Sequence, residues 1–187
     1  MRLGADGWVS GVRKLASPNC DRRPPGIAAE LLVIHNISLP PGEFGGDAIE
    51  RLFTNTLPVE FHPYYAQLRG VKVSAHFLIR RDGEIIQFVP CGKRAWHAGT
   101  SSWQGRSRCN DYSIGVELEG SDETPFEDRQ YAALTRLTRA LQRACPTLRN
   151  VAGHSDIAPQ RKTDPGPCFD WARYFASLRD FPRHPPR

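Results

Sequence analysis

The chain lacks most of the features that would send a protein through a membrane or onto nucleic acid. Its opening residues, Met1-Arg2-Leu3-Gly4-Ala5-Asp6, lead into no apolar segment followed by a small-residue cleavage site, so no secretory signal is expected. No apolar run approaches the length of a membrane-spanning helix, so no membrane partner is expected either. Cysteine is sparse and odd in number: five thiols, at positions 20, 91, 109, 145 and 168, stand far apart and none form a CxxC pair. That spacing argues against a cysteine-only zinc site and a disulfide framework, and predicts a reducing, cytoplasmic compartment. Internal repeats and low-complexity segments are also missing. The net charge of +5 favours anionic partners, but the arginines are scattered and no basic stripe, tail or nucleic-acid motif gathers them. Nucleic acid is therefore not an expected partner, and an acidic small substrate suits the charge.

What is present fits one domain. The 187 residues suffice for one core, and the sixteen glycines and sixteen prolines predict long ordered loops around a modest scaffold. Leu31-Leu32-Val33-Ile34 reads as a buried strand ending at His35, followed by a Pro/Gly-rich stretch and a short helix with Ile49, Leu52 and Phe53 on one face. Residues 75–79 and 84–89 read as strands joined at Asp82-Gly83, a strong hairpin signal. In residues 114–119, alternation puts Ile114, Val116 and Leu118 on one face and Glu117 and Glu119 on the other. Thr124-Pro125-Phe126-Glu127 resembles a capping box opening a helix that carries Tyr131, Leu134, Thr138, Leu141 and Cys145 and stops at Pro146. A last helix after Asp170 is expected to bury Trp171, Phe175 and Leu178, and residues 181–187 read as a frayed tail. Alternating strands and helices predict a single α/β domain over 1–187, with a mixed central sheet flanked by helices.

The histidines are the natural place to look for a metal. His35 is expected at the end of a buried strand, and His154, in Gly153-His154-Ser155-Asp156, at another strand-to-loop junction. Asp164 follows ten residues later in Thr163-Asp164-Pro165-Gly166-Pro167. Two histidines and an aspartate make a reasonable catalytic zinc set with a fourth position open. By spacing alone, Asp156, Cys168 or Glu117 could equally be the third ligand, and a histidine at a strand end is commonly a structural hydrogen-bonder. Glu117 has two readings, a carboxylate facing a cleft or one on a solvated strand face. His76 reads as a core residue and His184, in the tail, as a bystander. Lys162 is notable only for lying between His154 and Asp164.

Five stretches then carry a resemblance. They are residues 33–46 (Val33-Ile34-His35-Asn36 through Glu43-Phe44-Gly45-Gly46), 74–83, Arg94-Ala95-Trp96-His97-Ala98-Gly99, 108–115, and Gly153-His154 through Arg161-Lys162-Thr163-Asp164-Pro165-Gly166-Pro167. In this order, spread over nearly the whole chain, they resemble the cytoplasmic anhydro-muramoyl-alanine amidases of peptidoglycan recycling. The resemblance implies the zinc-amidase fold shared with phage amidase lysozymes and peptidoglycan recognition proteins. It places the zinc ligands on His35, His154 and Asp164, the general base on Glu117, and a transition-state lysine on Lys162. It implies an anhydro-muropeptide substrate, cut at the amide between the lactyl carbonyl and L-alanine. Arg108 becomes a candidate clamp for a stem carboxylate, with Asn36, Trp96 and His97 lining the cleft. Phage relatives have a cysteine where Asp164 stands and a strand tyrosine where Ala75 stands; in the recycling branch, Glu117 takes over the tyrosine's role. A monomer is expected. The rival reading is a non-catalytic peptidoglycan-fragment-binding module on the same fold, which would be expected to have lost a ligand.

Overall fold

The structure, a computed structural model, describes residues 1–178. The tail expected from 181, with His184, lies outside the described residues. In chain order, β1 (Arg13–Lys14) and β2 (Cys20–Arg22) precede the long strand β3 (Leu31–Ile37). Two short helices follow, α1 (Ala48–Phe53) and α2 (Pro63–Ala66). Then come β4 (Phe77–Ile79), β5 (Ile85–Gln87), β6 (Lys93–Ala95) and the small hairpin β7 (Ser102–Trp103) and β8 (Arg106–Ser107). The C-terminal half holds β9 (Ser113–Glu119), α3 (Asp128–Ala144), β10 (Asn150–Gly153), α4 (His154–Ile157) and α5 (Trp171–Ser177).

Six strands form the central mixed sheet in the order β1-β5-β4-β9-β3-β10. β4, β9, β3 and β10 are paired in parallel, and β5 runs antiparallel to β4. Central placement explains the unbroken apolar run of β3: with a partner on each side and both faces covered, residues 31–34 are all fully buried. The same placement settles Glu117 and Glu119, because β9 has no solvated face and both glutamates are buried. Ile114, Val116 and Leu118 point to the opposite face, as their alternation predicts. There they pack with Leu134, Leu137 and Leu141 of α3 and with Tyr174 and Phe175 of α5. The Asp82-Gly83 hairpin forms, with Gly83 at φ 86° beneath the carbonyl of Arg129.

Several boundaries differ from expectation. β3 continues through His35 to Ile37, because its pairing with β9 runs the full length of both strands. His154 opens the one-turn helix α4 rather than a loop. α3 starts at Asp128, with Glu127 at the N-cap and the Gln130 side chain accepting from the Glu127 N–H at 3.0 Å. The helix begins only after Phe126, whose ring is buried against Phe169 and Gly120. In α5, Tyr174 is the fully buried ring, bonded to Thr138 at 2.7 Å, while Trp171 is half-buried.

Candidate active site

The sheet face opposite α3 carries an open cavity of about 690 Å³. Parallel register puts His35 of β3 directly beside Glu117 of β9, so both side chains project from this face. His154 enters as the first residue of α4, directly after β10. Asp164 comes from the loop beyond α4, whose carbonyl is tied to the Ser155 N–H at 2.8 Å. His35 Nδ1, His154 Nδ1 and Asp164 Oδ2 form a triangle with every side 3.0 Å. Both histidines are buried and the Asp164 side chain is 13% exposed. No other grouping of three or more potential ligands occurs among the described residues.

The donor chemistry of this triangle suits a cation. The outer nitrogen of His154, Nε2, lies 3.2 Å from the Ala98 carbonyl, which can only accept, so the proton sits there and Nδ1 is bare. His35 Nε2 lies 2.9 Å from His97 Nδ1, and His97 Nε2 lies 3.1 Å from Ser113 Oγ. Read as a chain of donors, this leaves His35 Nδ1 bare as well. Two nitrogen lone pairs and a carboxylate oxygen then converge, an arrangement that repels itself until a metal ion is placed among them. Zinc bonds of about 2.0–2.2 Å in a tetrahedron hold ligand atoms about 3.3–3.5 Å apart, close to the separations present. Burial lowers the pKa of His35 to about 4, which keeps it neutral and able to ligate.

The glutamates of β9 differ in a telling way. Glu119 is fully engaged, by Arg80 at 2.9 Å and by the N–H groups of Gly45 and Arg81. Glu117, two residues earlier on the same face, is also buried but its Oε2 has no hydrogen-bond partner. Its pKa is pushed well above the ordinary carboxyl value by burial first and by the Asp164 carboxylate second, with Lys162 opposing. A buried, unpartnered carboxyl with raised proton affinity at the wall of a cleft suits proton transfer.

The remaining sequence candidates divide. Lys162, Asn36, Trp96 and His97 line the cavity. Asn36 is already committed there, donating to Asp122 at 2.7 Å and to the Pro165 carbonyl at 3.1 Å. Arg108 does not line it; its side chain is 71% exposed and rests 3.2 Å from Asp111. Asp156 accepts from the Gly153 N–H at 2.6 Å as the cap of α4, and Cys168 stands outside the cavity. Sequence reasoning passed over Asn110, Ser113, Asp122 and Arg161, which brace the site walls. Asn110, Ser113 and Arg161 lie inside the resembling stretches, but no spacing distinguishes a bracing amide, hydroxyl or guanidinium from any other.

The profile of the N-acetylmuramoyl-L-alanine amidase family matches residues 25–167. The chain is 58% identical over 169 residues to the 1,6-anhydro-N-acetylmuramyl-L-alanine amidase AmpD of Escherichia coli K12, covering 90% of this chain and 92% of that protein. A crystal structure of a selenomethionine AmpD derivative superposes with a TM-score of 0.92 at 56% identity, covering 95% of this chain and 99% of that one. The E. coli amidase AmiD, solved with its substrate anhydro-N-acetylmuramic acid-L-Ala-D-γ-Glu-L-Lys, matches at 31% identity and a TM-score of 0.60, over 84% of this chain and 61% of that one. With the family profile spanning most of its length and a relative this similar from end to end, the chain belongs to the N-acetylmuramoyl-L-alanine amidase family.

Proposed function

We propose that this chain hydrolyses the amide joining the lactyl carbonyl of 1,6-anhydro-N-acetylmuramic acid to L-alanine in muropeptides, within peptidoglycan recycling. His35, His154 and Asp164 hold zinc, and the enzyme works as a cytoplasmic monomer. The observation that carries this is the unpartnered, buried Glu117 carboxyl beside three converging ligand atoms in one open cavity. The substrate is that named for the AmpD and AmiD relatives.

Zinc bound there supplies Lewis-acid polarisation of the scissile carbonyl and of the attacking water. Glu117 Oε2, having no partner to displace, takes the water's proton and returns it to the departing alanine nitrogen. Lys162, at the rim, offers its ammonium to the carbonyl oxygen as negative charge grows there; one such donor is worth about 3–4 kcal/mol. Arg108 is the clamp for a stem carboxylate. Its link to Asp111 is an exposed ion pair worth about 0–1 kcal/mol, and Asp111 keeps Arg94 at 2.5 Å when Arg108 leaves. Asn36, Trp96 and His97 shape the cleft wall.

The deciding experiment is mass spectrometry of an anhydro-muropeptide incubated with metal-replete and with chelated protein. The expected result is a free stem peptide beginning with L-alanine, formed only with metal. Intact muropeptide after incubation with folded, metal-replete protein would overturn the reading and favour the non-catalytic binding module.

A further inference from the structure

Both zinc-ligating histidines are held from outside by two consecutive residues. His97 Nδ1 lies 2.9 Å from His35 Nε2, and the Ala98 carbonyl lies 3.2 Å from His154 Nε2. The segment that carries them is itself pinned, because Asn110 Oδ1 accepts from the backbone N–H of His97 at 3.1 Å and of Ala98 at 2.8 Å. Arg161 adds a second restraint, donating to the Ala98 carbonyl at 2.7 Å and to Thr100 at 2.9 Å. The His97 ring lies flat over Gly115, where a Cβ would come within 2.5 Å of its Cγ, and Ser113 on the same strand meets its other nitrogen.

We propose that His97 and Asn110 are positioning residues of the metal site: the clamped His97–Ala98 segment takes the outward N–H of each histidine ligand and so keeps both inward nitrogens bare and aimed at the metal. The inference rests on the metal-site reading above. It gives His97 a role beyond lining the cleft. An imidazole can present only one bare nitrogen when neutral, so whatever accepts at Nε2 dictates that Nδ1 is the ligand. Usually a carboxylate, carbonyl or water accepts that proton. Here one acceptor is a second imidazole, which must itself donate onward from Nε2, and Ser113 Oγ is placed to receive it. Asn110 ties the two halves together, since one amide oxygen sets the height of both supports.

Zinc affinity of the metal-free full chain, measured by competition with a chromogenic chelator, tests this directly. His97→Phe keeps an aromatic ring but removes the acceptor, whereas His97→Asn places an amide oxygen near the position of Nδ1. Loss of such an outer support typically costs ten- to a hundredfold in metal affinity. That loss is expected for His97→Phe, with recovery to within about threefold of the parent for His97→Asn. Asn110→Ala should weaken zinc binding in the same way, and Asn110→Asp, which keeps the accepting oxygen, should restore it. Melting of the metal-free proteins separates roles, because a merely structural residue lowers the melting temperature within each pair without splitting the pair in zinc affinity. Parent-like zinc affinity in His97→Phe, or equal losses in His97→Phe and His97→Asn, would overturn the proposal. If His97→Phe does not fold, the Asn110 pair decides, and equal affinities in Asn110→Ala and Asn110→Asp would overturn it. A parent protein that binds no zinc would instead refute the metal-site reading, and this proposal with it.

Discussion

Replacing Glu117 with glutamine separates chemistry, metal binding and stability in one variant. Glutamine has nearly the same shape and fits the same buried space on β9, so the fold and the His35–His154–Asp164 triangle should persist. An amide cannot accept the water's proton, and a lost general base costs about a hundred- to ten-thousandfold in turnover, or roughly 3–5 kcal/mol of barrier. The same substitution should stabilise the metal-free protein above acid pH. Burial, aided by the neighbouring Asp164 carboxylate, raises the folded-state pKa of Glu117 above the ordinary 4.5. The native state therefore keeps a proton that the unfolded chain loses above pH 4.5. Stability from this group is fully present below that pH and is lost as pH climbs through the folded value, by at most about 1.4 kcal/mol per pH unit. The substituted amide cannot titrate, so the Glu117→Gln variant escapes the loss. The stability gap should open with rising pH, by at most about 3–6 °C in melting temperature per pH unit for a chain of this size. Scanning calorimetry of both metal-free proteins from acid to neutral pH, with turnover and zinc content on matched samples, measures all three effects. Retained turnover, or a variant whose stability follows the parent's at every pH, would refute the reasoning. Loss of zinc would make Glu117 a ligand.

Other expectations follow from the same geometry. His154→Ala removes one corner of the ligand triangle, and elemental analysis should find zinc well below one per chain; full occupancy would dismiss the assignment. Arg108→Ala should cut catalytic efficiency ten- to a hundredfold on long anionic stems, for a contact worth about 1.5–3 kcal/mol, and leave a truncated stem almost unaffected. Equal losses on both stems would end the clamp idea. Gly115→Ala drives a methyl into the His97 ring, and such overpacking costs about 1–3 kcal/mol, so melting should fall by roughly 2–12 °C. An unchanged melting temperature would show that the ring can move. All five cysteines are free in the structure, so thiol titration of denatured protein from reducing cells should find five reactive groups, and fewer would contradict it.

How much of this was legible beforehand depends on the range of the interaction. Local periodicity located β3, β9, the Asp82-Gly83 hairpin and the apolar face of α3, because strand alternation and helix repeat are imposed by the backbone within a few residues. α3 starts three residues beyond the local capping pattern at Thr124, because that pattern yields to the burial of Phe126 against Phe169, 43 positions away. Motif resemblance named His35, His154, Asp164, Glu117 and Lys162, but spacing alone left Asp156, Cys168 and Glu117 open as ligands.

Only the tertiary structure could narrow those alternatives. Asp156 is spent on capping α4, and Cys168 stands outside the cavity. Glu117 and Glu119 are indistinguishable in sequence, both acidic and both on the same face of one strand. What separates them is that Arg80 and the turn at Gly45 reach Glu119, while nothing reaches Glu117 Oε2. A carboxyl's proton affinity is set by the groups within a few ångströms of it, and those groups come from distant parts of the chain. The sequence by itself thus determined which elements form and which residue types are available for chemistry. Parallel register between β3 and β9, which sets His35 beside Glu117, and the loops that carry His97, Lys162 and Asp164 to the same face decided which of them can act together.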